Sequence, residues 1–127
     1  MLGVEYIAGF VDADGCISSH VTPSGTKQWE VNIVQSVKND KGVLTQVQKQ
    51  YGGSLCVSKR GGSCSDIRRW KVQGVEAAIV LSDIYPFLHV KKERAFNALS
   101  DFAEHPKISK VLDRIGEPRW LYGKEQY

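Results

Sequence analysis

The sequence predicts an α+β domain in which helices cover one face of a four-stranded antiparallel sheet, in the order αββαββα. Two pairs of segments alternate apolar and polar residues, which is typical of half-buried strands joined as hairpins. Segments with apolar residues at helical spacing precede, separate and follow these pairs. Helices on one face of an antiparallel sheet leave the opposite face open to solvent.

The first helix contains a stretch that is apolar or small until two carboxylates and a glycine end it, YIAGFVDADG at positions 6–15. A helix without a polar face is buried in a core or an interface. Glycine inside a helix costs about 1 kcal/mol relative to alanine, so the pair Ala8-Gly9 indicates that another backbone approaches closely. Asp12 and Asp14 fall at the helix C-terminus, where the macrodipole disfavours carboxylates and a cation would relieve the repulsion.

The same stretch also fits a plainer structural interpretation, a buried helix followed by an Asp/Gly turn. In that interpretation Gly15 is a left-handed cap and the carboxylates have no ligand.

Two predicted hairpins follow the first helix. The first joins strands at 16–21 and 28–33 through a loop at 22–26, and Gln35 ends its second strand. The second joins strands at 55–59 and 67–72 across a loop that contains Gly61 and Gly62. Its expected core residues are Leu55, Val57, Trp70 and Val72.

Helices are predicted between and after the hairpins. Asn39 or Asp40 caps a helix that ends near residues 51–53. Further helices are expected at 75–84, which Tyr85-Pro86 ends, at 92–104 and at 108–115. The tail at 117–127 is expected to pack its aromatic residues Trp120, Tyr122 and Tyr127 back on the domain.

The chain has 127 residues, which predicts one domain at 1–127 with its core at about 4–105 and a C-terminal helix and tail at 106–127. Its 42% hydrophobic content without a long apolar run predicts a soluble protein with no membrane span. The motif lies close to Met1, so we expect no signal peptide and a cytoplasmic location, or an organellar matrix if an organelle genome encodes the chain.

The net charge and the cysteine content limit the kinds of partner and site that the chain is expected to have. The net charge of +3 permits nucleic-acid binding, and basic residues concentrate between Lys59 and Lys71. Cys16, Cys56 and Cys64 are an odd set without C-x-x-C spacing, so neither a disulfide framework nor a zinc site is predicted.

Residues 7–15, IAGFVDADG, closely resemble the nine-residue signature of LAGLIDADG homing endonucleases and differ from it by apolar exchanges at Ile7, Phe10 and Val11. The resemblance runs from about Tyr6 to Ala95, and the string PFLHVK at 86–91 is similar to the segment that carries the family's active-site lysine. Only one copy of the motif is present, which in this family implies a homodimer. The expected dimer interface consists of Tyr6, Ile7, Ala8, Gly9, Val11 and Asp12.

The resemblance also implies a catalytic set for phosphodiester hydrolysis, which needs a hard divalent cation, an activated water and charge stabilisation. Asp14 is expected to bind the metal together with the carbonyl oxygen of Ala13, and oxygen ligands favour Mg²⁺ with Mn²⁺ as a substitute. Gln35 matches the residue that arranges water, and Lys91 matches the active-site lysine. Lys38 is a weaker basic candidate, and no small-molecule cofactor is expected.

Double-stranded DNA is the expected partner, lying along the open face of the sheet with one sheet on each half-site. A strand of about seven residues spans roughly 23 Å, which is comparable to six or seven base steps. The expected DNA-binding residues are Ser18, His20, Thr22, Thr26, Gln28, Glu30, Asn32, Lys38, Ser58, Lys59, Arg60, Arg68, Arg69 and Lys71.

Two of these residues leave an alternative open. Arg68 replaces Arg69 on the open face if the strand register shifts by one residue. Glu30 either accepts a hydrogen bond from cytosine or opposes a nearby arginine.

The predicted function is a magnesium-dependent endonuclease that cuts both strands at the centre of a long, near-palindromic site and leaves short 3′ overhangs. One alternative is a relative of the same fold that binds DNA or RNA without cutting, such as an intron maturase or a transcription regulator. Another is an α+β module that senses a metabolite or binds protein, for which DNA affinity would not fall with rising salt.

Overall fold

The computed structural model describes residues 2–59 and 66–116, apart from the side chain of Asn39, and has the predicted α+β fold. The elements in chain order are α1 (Val4–Asp14), β1 (Gly15–Val21), β2 (Lys27–Ser36), α2 (Val37–Asp40), α3 (Val43–Tyr51), β3 (Ser54–Ser58), β4 (Ile67–Gln73), α4 (Gly74–Ile84), a 3-10 turn (Tyr85–Phe87), α5 (Lys92–Ser100) and α6 (Pro106–Ile115).

The four strands form one antiparallel sheet in the order β1-β2-β4-β3, so that β2 and β4 are central. The register places Val31 between Ile17 and Val72, and all three side chains are buried on the helix-covered face. Their neighbours along each strand point to the other face, because successive side chains of a strand alternate. We call this second side of the sheet the open face.

The core lies between the sheet and the helices. Helix α1 buries Ile7, Ala8 and Val11 completely, and Trp70 of β4 is likewise fully buried. Val57 does not join this core, since 54% of it is exposed, and the prediction of a core position was wrong. The strand β3 lies at the edge of the sheet and is only five residues long, so few helix residues cover it.

Other differences from the sequence prediction concern element ends. The helix α5 ends at Ser100 instead of continuing to 104, and Asp101 then accepts a hydrogen bond of 2.6 Å from the indole Nε1 of Trp29. The short helix α2 was not predicted. The loop residues 60–65, with Arg60, Gly61, Gly62 and Cys64, and the aromatic tail at 117–127 lie outside the described residues.

Across 2–59 and 66–116, none of the helices combines the length and the apolar content needed to cross a membrane. Cys16 and Cys56 are free thiols on the surface, as the spacing of the cysteines predicts.

Candidate active site

The junction between α1 and β1 places Asp14 at the edge of the sheet. Gly15 follows at once, and its backbone N–H donates to the carbonyl of Val11. A Cβ at Gly15 would lie 2.7 Å from the Cα of Val11, so the close approach of the helix requires glycine. The φ of Gly15 is −97°, which is extended rather than left-handed, so the left-handed cap of the plainer interpretation is not formed.

Gln35 contacts Asp14 directly. Its side-chain amide donates from Nε2 to Oδ2 of Asp14 over 2.8 Å, although 21 residues separate the two in sequence. Asp14 is exposed, and this bond fixes the orientation of its carboxylate. Within the described part of the chain, no group of three or more His, Cys, Asp and Glu side chains is placed so that it could hold a metal ion.

Lys91 also contacts the C-terminal end of α1, from the segment that precedes α5. Its ammonium donates to the backbone carbonyl oxygen of Asp12 over 2.6 Å. The carboxylate of Asp12 accepts the backbone N–H groups of His89, Val90 and Lys91, at 2.7, 3.2 and 3.1 Å. The lysine is therefore held two residues from Asp14, and Asp12 acts as a cap for the start of α5.

One stripe of α1 is exposed or half-buried in the single chain. It consists of Tyr6, Gly9, Phe10 and Ala13, spaced as i, i+3, i+4 and i+7 on one helix face. The rings of Tyr6 and Phe10 lie 5.9 Å apart, and a Cβ added at Gly9 would meet no atom within 4 Å. We call these four residues the α1 stripe.

Burial argues against part of the expected dimer interface. Ile7, Ala8 and Val11 are fully buried in the core of their own chain, so they offer no surface to a second copy. The carboxylate of Asp12 is engaged by the segment before α5. The sequence interpretation omitted Phe10 and Ala13, which the helical spacing counted from Tyr6 would have identified.

Most of the expected DNA-binding residues on strands share the open face. The register brings together side chains from all four strands, namely Ser18, His20, Gln28, Glu30, Asn32, Ser58, Arg69 and Lys71. Thr22 and Thr26 lie in the turn between β1 and β2, joined by a backbone hydrogen bond of 2.8 Å. Lys38 is exposed on α2, and Lys59 is exposed just after β3.

Arg68 does not lie on the open face. It points to the helix-covered side, where its guanidinium donates to the buried carboxylate of Asp40 over 2.6 Å and to the hydroxyl of Thr45 over 3.2 Å. The alternative in which Arg68 replaces Arg69 is therefore wrong, because the alternation of β4 places Arg69 outward. Gln73, two residues beyond Lys71, shares the open face and was missed, although the same alternation points to it.

Comparison with known proteins gives a consistent result. The family model described as LAGLIDADG endonuclease matches residues 7–103. No curated protein sequence matches the chain significantly.

Among solved structures, the homing endonuclease I-CvuI in complex with the I-CreI target in the presence of Mg has a TM-score of 0.61 at 24% identity, over 86% of this chain and 72% of that one. I-CvuI in complex with its own target in the presence of Ca has a TM-score of 0.58 at 22% identity, over 91% and 83%. The LAGLIDADG meganuclease I-AabMI bound to uncleaved DNA has a TM-score of 0.57 at 20% identity, over 91% of this chain and 39% of that one. At these identities the structural likeness shows the fold, and the family model, which covers most of the sequence, shows that the chain belongs to the LAGLIDADG endonuclease family.

Proposed function

We propose that this protein is a homodimeric, site-specific DNA endonuclease of the homing type. It cuts both strands at the centre of a long, near-palindromic target and leaves short 3′ overhangs. The observation that carries the proposal is the direct contact between Asp14, at the end of α1, and Gln35, near the end of the central strand β2. I-CvuI, a relative of similar fold, was solved in complex with target DNA.

The α1 stripe supports the homodimer. A surface that contains Tyr6 and Phe10 beside Gly9 and Ala13 allows the backbones of two helices to approach closely, which an isologous contact requires. Two copies of α1 meeting there would bring two Asp14 carboxylates together beside two negative helix ends. Each Asp14 would then serve one DNA strand.

The residues present fit a hard divalent cation. Asp14 offers an exposed carboxylate, and the carbonyl of Ala13 precedes it in the last turn of α1. Mg²⁺ binds through one or two carboxylates and keeps several waters, so an open oxygen site suits it, and Mn²⁺ can replace it. When bound, the metal would supply Lewis-acid stabilisation of the phosphate.

Gln35 and Lys91 act through hydrogen bonds and charge. Gln35 holds one oxygen of the Asp14 carboxylate and leaves its own amide oxygen to orient a water. Lys91 uses one of its three ammonium protons on the carbonyl of Asp12. The remaining two are available to a phosphate oxygen on which negative charge develops.

The open face supports binding in the major groove. Arg69 and Lys71 are adjacent outward positions of β4, on the half of the sheet nearer to Asp14, and they suit phosphate contacts. His20 and Gln28 are cross-strand partners further out, where their donors and acceptors suit base edges.

A randomised duplex library incubated with the protein and Mg²⁺ tests the proposal, with cut ends identified by sequencing. We expect cleavage of a restricted set of near-palindromic sequences, and binding that weakens as salt rises. Selective binding without cutting would instead favour a maturase or a regulator of the same fold.

The variant Asp14→Asn tests the catalytic assignment in the same assay. It should abolish cleavage while it leaves DNA binding and dimerisation largely intact, because the amide keeps the shape but loses the charge that holds the metal. Asp113→Asn is a matched control, since Asp113 is exposed on α6 and takes no part in the site. Full cutting by Asp14→Asn would refute the assignment.

A further inference from the structure

Glu30 of β2 is the acidic residue of the open face and is held by two side-chain amides. One oxygen of its carboxylate accepts from Nδ2 of Asn32 over 2.9 Å, and the other accepts from Nε2 of Gln73 over 3.1 Å. None of the salt bridges within the described residues includes Glu30. The acid is therefore fixed in place by amides and does not neutralise an arginine there.

These two hydrogen bonds determine which atoms of Glu30, Asn32 and Gln73 face outward. An ionised carboxylate has no proton to give, so both amides must turn their N–H₂ groups toward it. Their oxygens, Oδ1 of Asn32 and Oε1 of Gln73, then point away from Glu30. The Glu30–Asn32–Gln73 cluster thus concentrates hydrogen-bond acceptors at one position on the open face.

In the major groove, acceptors of a protein can pair only with donors of a base. Guanine presents O6 and N7 and thymine presents O4, all of which are acceptors. Adenine presents one donor beside the acceptor N7, whereas cytosine presents the N4 amino group alone. A carboxylate buried against DNA without a donor is strongly disfavoured, so the cluster rejects guanine and thymine. Adenine is less favourable than cytosine, because its N7 would face an acceptor of the cluster.

The position of the cluster fixes which base pair it reads. Glu30 lies five residues before Gln35 on the same strand. At about 3.4 Å per residue this separation is roughly 17 Å, or about five base steps.

We infer that the Glu30–Asn32–Gln73 cluster selects cytosine at one position of each half-site, about five base steps from the cleavage centre. The inference rests on the proposed function, since it needs DNA to lie along the open face.

Binding selection from a randomised duplex DNA library tests the inference, comparing the full-length wild type with Glu30→Gln. The wild type should enrich cytosine about tenfold or more at one position of each half-site. Glu30→Gln should lose that preference and accept adenine there, because an amide can both donate to N7 and accept from the amino group. The two side chains are equal in size and lie on the surface, and a thermal unfolding curve would verify that the variant folds.

Lys71→Gln is the matched control on the neighbouring strand. It should weaken binding to all sequences alike and reduce the salt dependence, while the cytosine preference stays. Unchanged base preferences in Glu30→Gln, or a change in affinity that is equal for every sequence, would overturn the inference and leave the proposed function standing. A wild-type protein that selects no sequence at all would overturn both.

Discussion

Asp12 and Lys91 cap each other's helices, although 79 residues separate them in sequence. The carboxylate of Asp12 accepts backbone N–H groups where α5 begins, and the ammonium of Lys91 donates to a carbonyl where α1 ends. Helix N-termini attract negative charge and helix C-termini attract positive charge, so each residue supplies the sign that the other helix needs. The last turn of α1 contains no basic residue of its own.

Asp12→Ala should lower the free energy of unfolding by about 1–2 kcal/mol, as the loss of a helix cap does. Urea unfolding measures the change. Asp14→Ala is the control, because it removes a carboxylate from the unfavourable end of α1 and should leave stability nearly unchanged or slightly higher. Equal urea midpoints for wild type and Asp12→Ala would contradict the capping role.

Gly9→Leu should convert the proposed dimer to a folded monomer. A Cβ added at Gly9 would meet no atom of its own chain within 4 Å, so we expect the fold to tolerate the substitution, but a leucine there would separate two helices in contact along the α1 stripe. Sedimentation velocity measures the change in mass. Gly9→Ala should have a much smaller effect, and a Gly9→Leu protein that stays dimeric would show that the copies associate elsewhere.

Substitutions of the adjacent residues Arg68 and Arg69 should have opposite effects on stability and on DNA binding. Arg68→Gln should lower the free energy of unfolding by about 2–3 kcal/mol, because it leaves Asp40 buried without its cation. This value is below that of a fully buried pair, since a quarter of the Arg68 side chain is exposed. Arg69→Gln should keep stability and weaken DNA binding, with a shallower dependence on salt.

Urea unfolding and a DNA titration at two salt concentrations separate the two arginine variants. Loss of DNA affinity without loss of stability in Arg68→Gln would contradict the register of β4.

Acid should destabilise the contact between β2 and the end of α5. The hydrogen bond from Trp29, and then Lys27, lowers the pKa of Asp101 below its usual value, although partial desolvation opposes this. Because the pKa is lower in the folded state, the stabilisation is present above the unfolded pKa of about 4 and is lost as the pH falls through the folded value.

Asp101→Asn should therefore flatten the pH dependence of stability below about pH 4. Urea midpoints measured from pH 6 down to pH 2.5 would reveal it, with Asp113→Asn as an exposed control. If the curves of urea midpoint against pH were parallel for wild type and Asp101→Asn, the carboxylate of Asp101 would contribute nothing to the pH dependence of stability.

Local patterns predicted most of the fold. The alternation of Trp29, Val31 and Ile33 identified the buried side of β2. The alternation of Trp70 and Val72 in β4 likewise predicted that Arg69 faces outward, which the structure confirms. These features depend on neighbouring residues, so they can be read from a short window of sequence. The predicted core position of Val57 was wrong because burial depends on which strand lies at the edge of the sheet, and local patterns do not indicate the order of the strands.

The site was predicted less completely, because its contacts are long-range. The family resemblance pointed to Asp14, Gln35 and Lys91, and the structure brings Asp14 and Gln35 into direct contact. The roles of these residues remain predictions. The bonds of Asp12 to residues 89–91 join the two ends of the domain, and no periodicity in the sequence indicates them.

The span between the motif and Lys91 has a consequence for synthesis in the cell. Asp12 is translated 77 residues before His89, whose backbone N–H it accepts in the folded domain. An unfinished or misfolded copy therefore has the acidic residue without the lysine beside it. The contact between the end of α1 and residues 89–91 therefore forms only after most of the domain has been synthesised.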